Sequence, residues 1–194
     1  GIVKYFQRGG LGLREKIIKK FFHLLNFTVL GIFLLSVFGL DCHAGWYDSD
    51  WDTRQKIVVS SSLTDSDLSE FPLMISITDG NNSVFSEAQA DGDDILFTGS
   101  DEVTKLAHEI ESYTSGTGSE ELVVWVKLPL LAADSASVLY MYYGNGSCSS
   151  QETADAVWDS NYVMVHHLEE TSGTLYDSTS YGNDGSPGGG LSLD

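Results

Sequence analysis

The residues that could do chemistry lie in four short groups. His108-Glu109-x-Glu111 pairs an imidazole with two carboxylates, the residue types of acid–base or metal chemistry. On a strand, Glu109 and Glu111 share a face ~7 Å apart, within the range of paired glycosidase carboxylates. A retaining hydrolase would further need one carboxyl of raised pKa and a sugar-shaped cleft. The same alternation turns His108 to the opposite face, beside Leu106 and Ile110, as a histidine at the edge of the core. His166-His167 precedes Glu169-Glu170 but lacks the His-Glu-x-x-His zinc spacing. Read as strand, it places one histidine toward the core with Val163 and Val165 and leaves the other exposed. The cysteines cannot form a two-cysteine zinc pattern, so neither a zinc site nor any catalytic residue is assigned.

Hard oxygen ligands cluster at Asp91-Gly92-Asp93-Asp94, the best candidate for Ca²⁺, with Asp177, Asn183 and Asp184 as a weaker second set. Neither has the twelve-residue EF-hand spacing. A plain turn, whose aspartates cap their own backbone, is the competing reading. Among the aromatics, Trp46, Tyr47 and Trp51 are the candidate ligand-binding set, offering stacking surface for a sugar ring. The competing role for them is to tie down the first strand. Trp125 stands inside the most apolar run and is expected in the core.

The elements that must position these groups are strands. Lys56–Ser60, Phe71–Ile77, Asp94–Thr98, Leu106–Tyr113, Leu122–Leu128 and Val138–Tyr143 are short and rich in branched and aromatic residues. Pro72 belongs at a strand start or on an edge, because it cannot donate to a ladder. The nearly unbroken apolar run Leu122–Leu128 predicts a central strand covered on both faces. Glycine-bearing turns separate the strands, and only residues 82–90 read as a short helix. Residues 149–156 read as a linker, and Val157–Leu168 opens a second β-rich passage. The chain reaches Asp194 with too few strands to close a second sheet, so it reads as the front of a longer polypeptide.

Location is written at the start. Six cations among the first 20 residues precede Phe21–Leu40, mostly apolar, and Cys42 and Ala44 stand at the −3 and −1 positions of a cut before Gly45. Residues 1–44 therefore read as a secretory signal peptide, the alternative being a retained N-terminal membrane anchor. Beyond them remain four cations (Arg54, Lys56, Lys105, Lys127) against 26 acids, a net charge of −22. That field repels nucleic acid and anionic membrane surfaces, which excludes a nucleic-acid partner. With Cys42 removed, Cys148 has no intrachain partner, and a single hydrophobic core must hold the fold.

Several phrases together resemble a bacterial and archaeal exported family described as a domain of unknown function. They are Trp51-Asp52-Thr53-Arg54, Phe71-Pro72-Leu73, Ala90-Asp91-Gly92-Asp93-Asp94-Ile95-Leu96-Phe97-Thr98, His108-Glu109-Ile110-Glu111, Val124-Trp125-Val126-Lys127-Leu128-Pro129 and Tyr142-Tyr143-Gly144-Asn145, spanning about residues 46–146. The tail, with Val157-Trp158, His166-His167-Leu168-Glu169-Glu170, Asp177-Ser178-Thr179 and Gly182-Asn183-Asp184-Gly185, resembles the opening of a laminin-G-like, concanavalin-A-type jelly roll. The resemblance implies an all-β protein: an antiparallel β-sandwich at 45–148, followed from 157 to 194 by an incomplete second jelly-roll sandwich. It carries no catalytic residues.

The expectation is a non-enzymatic recognition module, exported to the periplasm, cell surface or extracellular space. It would bind glycan or another envelope component and be stabilised by Ca²⁺. Two alternatives follow from the same resemblances. One is a periplasmic accessory domain of a proton-channel protein resembling the MotA/TolQ/ExbB family, touching the membrane through its N-terminal segment or downstream spans. The other is part of a secreted polysaccharide hydrolase.

Overall fold

Alternation of apolar and polar residues organises the chain into seven strands, in a computed structural model that describes residues 46–188. They are β1 (Thr53–Val59), β2 (Leu68–Ile77), β3 (Leu96–Thr98), β4 (Lys105–Leu106), β5 (His108–Thr114), β6 (Glu121–Leu131) and β7 (Ser137–Tyr143). Two one-turn helices accompany them, α1 (Val84–Glu87) and α2 (Ala154–Val157). The signal peptide or anchor expected at 1–44 lies outside the described residues. Among the described residues no helix is long and apolar enough to cross a membrane.

The strands form two antiparallel sheets, one ordered β1-β7-β3-β4 and the other β2-β6-β5. Their inner faces share one hydrophobic cluster. Ile57, Val59, Phe97, Leu139, Met141 and Tyr143 come from the first sheet, and Leu122, Val124, Val126 and Leu128 from the second. On β6 this is the period-2 stripe, with Val123, Trp125 and Lys127 turned to the other side. Each fully buried branched side chain contributes roughly 1.5–3 kcal/mol relative to exposure, so the stripe is the principal source of cohesion. β6 is central in its sheet, as its apolar run predicts. β2 is an edge, and Pro72, in register with Lys127, sits where a missing N–H costs no ladder bond.

Two expectations are corrected. Trp125 is only half-buried and lies on the outer face of the three-stranded sheet, because the alternation that buries Val124 and Val126 turns it away. Val157–Leu168 contains no strand. After α2 it runs as turns and irregular backbone, and Val163, Met164 and Leu168 are exposed. With no strand, the two histidines do not alternate between a core and a solvent face.

Candidate functional site

The outer face of the four-stranded sheet carries an aromatic cluster. Trp51, Leu96 and Tyr142 are buried at its base, with Trp46, Tyr47, Tyr140 and Cys148 packed around them. Strand geometry explains the set, since Arg54 stands opposite Tyr142 in the β1–β7 register and Lys56 opposite Tyr140. The Trp51 indole donates to the Asp94 carbonyl at 2.7 Å, and the Trp46 indole to the Trp51 carbonyl at 3.0 Å. The Arg54 guanidinium lies 5.0 Å from the ring centres of both Trp46 and Tyr140. It also pairs with Glu102 and meets the Tyr142 hydroxyl. The hydroxyl first, then Glu102, raise the Arg54 pKa against the cost of desolvation. Of the three aromatics singled out in the sequence, Trp51 is thus a buried anchor. Trp46 and Tyr47 remain partly accessible, joined by Tyr140, which lies in an alternation that sequence reading did assign to a strand.

The Asp91–Asp94 turn is organised around one side chain. Asp94 is fully buried, and its carboxylate accepts the backbone N–H groups of Gln89 (2.8 Å), Gly144 (2.6 Å) and Asn145 (2.9 Å). Asp91 accepts the Asp93 N–H at 3.2 Å. Asp94 therefore serves the backbone directly. Asp177 does the same in the tail. Its carboxylate accepts the N–H groups of Val165, Thr179 and Asn183 and the Thr179 hydroxyl, and Asp184 accepts the Asp177 N–H. Among the described residues no three histidine, cysteine or acidic side chains are grouped to hold a metal ion.

The two acidic–histidine motifs, 58 residues apart by number, meet on the outer face of β5 and β6. Glu109 stands opposite Trp125 in register, and a bulge between Ile110 and Ser112 makes Glu111 the extra residue of β5. The Trp158 indole donates to Glu109 Oε2 at 2.8 Å, and the Trp125 indole to Glu111 Oε2 at 2.5 Å. His167 bridges them, with Nε2 3.2 Å from Glu109 Oε2 and Nδ1 3.3 Å from Glu111 Oε2. The Trp125 and Trp158 rings pack 5.3 Å apart, with His167 against both. Each carboxylate accepts an indole N–H and lies beside the His167 ring, whose Nε2 makes no hydrogen bond. His166 lies apart, its ring nitrogen 3.1 Å from the Asn183 carbonyl. No sequence signal links Trp158 to Glu109, 49 residues away.

His108 is fully buried on the inner side, its ring 5.4 Å from Phe97, and neither ring nitrogen has a hydrogen-bond partner. Burial lowers its pKa to about 4; the Lys105 charge acts the same way, and nearby backbone at Leu106 and Ile95 opposes it. Such a group is a neutral core side chain at physiological pH. Cys148 is a free, half-buried thiol whose pKa is raised, by burial first and then by Asp94. A raised pKa keeps it in the unreactive thiol form.

Residues 91–184 match the model of a family described as a domain of unknown function, DUF2341. The match begins at the Asp91 turn and crosses residues 149–156 into the tail, so it contains both halves of the Glu109–Glu111–His167 contact. No curated protein and no solved structure matches the chain.

Proposed function

We propose that this chain is a non-enzymatic, exported recognition module, a two-sheet β-sandwich that binds glycan or another envelope component on the outer face of its four-stranded sheet. The observation that supports this reading is the half-exposed trio Trp46, Tyr47 and Tyr140 ranged around Arg54 and Glu102. Aromatic faces offer large apolar area at low conformational cost, and a planar guanidinium beside a carboxylate supplies directional partners for hydroxyl groups. The basic–apolar start of the chain supports export. The reading of the tail as the opening of a concanavalin-A-type jelly roll draws on the antiparallel bridge between Leu175 and Gly185.

Binding of the full chain to glycan arrays and to envelope fractions, with and without Ca²⁺, tests the proposal. Retention by at least one glycan class is expected, weakened about tenfold, or about 1.4 kcal/mol, by Trp46→Ala or Tyr140→Ala. No retention on any surface, or retention indifferent to both substitutions, would overturn it.

A further inference from the structure

The turn between β3 and β4 brings Glu102 to the aromatic face. It is closed by the Gly99 N–H donating to the Thr104 carbonyl at 2.9 Å and the Glu102 N–H to the Gly99 carbonyl at 3.0 Å. The Asp101 carboxylate accepts the Val103 and Thr104 N–H groups and the Thr104 hydroxyl. Within this turn Glu102 adopts a φ of +63°, a left-handed conformation uncommon for a residue with a Cβ. Such an outlier points to a side chain kept for what it meets.

What Glu102 meets is the platform itself. Its carboxylate pairs with the Arg54 guanidinium, and its carbonyl accepts the Tyr142 hydroxyl at 3.2 Å. The carboxylate also raises the Tyr140 pKa, through a hydrogen bond first; desolvation and charge act the same way, and Arg54 opposes them. The Arg54 and Glu102 side chains keep 29% and 18% of their surface exposed, so a molecule laid on the face can touch both. A guanidinium beside aromatic rings is by itself a fork for a carboxylate. Here that fork is answered from within the chain.

The surroundings carry the same sign. Lys56 stands exposed opposite Tyr140, but the segment that brings Trp46 and Tyr47 also brings the exposed Asp48, Asp50 and Asp52. With Glu102, these carboxylates outnumber the two cations Arg54 and Lys56, in a chain whose net charge beyond residue 44 is −22. Such a field disfavours an anion and is indifferent to hydroxyl groups. We propose that Glu102 sets the charge selectivity of this face: by pairing with Arg54 it excludes acidic sugars and reserves the platform for uncharged, hydroxyl-rich glycan. This selectivity rests on the glycan-binding role proposed for the same face.

Matched polymers separate charge from shape. Polygalacturonate and alginate are each set beside a carboxyl-reduced form, in which hydroxymethyl groups replace the carboxylates, with a β-glucan and a mannan as further uncharged polymers. Binding of the full 194-residue chain to each immobilised polymer is measured in about 20 mM and about 500 mM salt, free of divalent ions. At low salt the reduced forms should bind about tenfold more tightly than the acidic ones, a ratio that shrinks severalfold at high salt as the field is screened. Glu102→Gln, which removes the charge opposite Arg54, should cut the low-salt ratio about fivefold. Asp155→Asn removes the same unit of charge from α2, packed on the other sheet, and should leave the ratio unchanged. Acidic polymers bound as well as their reduced forms would overturn the charge selectivity and leave the recognition role standing. A ratio that Glu102→Gln leaves unchanged, or that Asp155→Asn shifts equally, would overturn it in the same way. Retention of no uncharged polymer would overturn it too, and a blank glycan array beside that result would take the recognition role with it.

Discussion

The carboxylate of Asp94 accepts the backbone N–H of Gly144 at 2.6 Å across 50 residues of chain. Two phrases recognisable in the sequence, Asp91-Gly92-Asp93-Asp94 and Tyr142-Tyr143-Gly144-Asn145, are thereby two sides of one joint. Gly144 adopts a φ of +94°, and a Cβ there would lie 3.3 Å from the Asp52 Cβ. Glycine is required both by the left-handed backbone and by the closeness of the neighbouring chain.

Breaking that joint should destabilise the fold without touching the core. Asp94→Asn keeps the size but replaces an acceptor serving three N–H groups with an amide that also donates. A loss of about 3 kcal/mol is expected, from buried donors left unpaired. Gly144→Ala should cost about 1–3 kcal/mol through backbone strain. Urea unfolding followed by tryptophan fluorescence measures both. A change under 0.5 kcal/mol in Asp94→Asn would refute the joint.

His108 should make stability fall on mild acidification. Its folded pKa of about 4 lies below the unfolded value, so the unfolded chain binds the extra proton between those limits. Its contribution is complete above pH ~6.5 and declines toward pH 4, by about 3 kcal/mol over the full interval. His108→Met, which fills similar space without a titratable ring, should flatten this part of the profile. Urea midpoints from pH 4 to 7.5 for both chains measure the difference. Identical slopes would rule the effect out.

Asp177 should organise the tail. Partial burial opposes its charge, but hydrogen bonds from Val165, Thr179 and Asn183 outweigh this and hold the carboxyl well below the usual carboxylate range. Its stabilising effect is therefore present above the ordinary aspartate pKa and is lost as pH falls through the depressed folded value. Asp177→Asn at neutral pH is expected to increase proteolytic nicking between residues 163 and 184 severalfold, with cleavage elsewhere unchanged. Equal nicking in both chains would count against the hub.

Much of this was open to inspection in the residues themselves. Runs of branched and aromatic residues placed the longer strands, the nearly unbroken apolar run made β6 central, and the missing N–H of Pro72 called for a strand start or an edge. Period-2 alternation turned His108 inward, because side-chain direction on a strand is local geometry. The charge balance was equally open to counting, since it sums over residues wherever they lie. Alternation also contained the correction to Trp125: apolar neighbours on both sides argued for the core, but its odd position beside Val124 and Val126 assigned the opposite face.

What only the tertiary structure decided were the partnerships. The backbone N–H that Asp94 accepts from Gly144 comes from a loop 50 residues away. Whether Glu109 and Glu111 stood open as an acid pair depended on Trp158 and His167, brought over them by a segment with no regular structure and hence no periodic signature. Residue type fixes what a side chain can donate or accept, and the spacing of a strand fixes the face on which it stands. Which distant group satisfies it is a property of the folded chain, where the burial of every polar atom has to be met by a partner that the local sequence does not name.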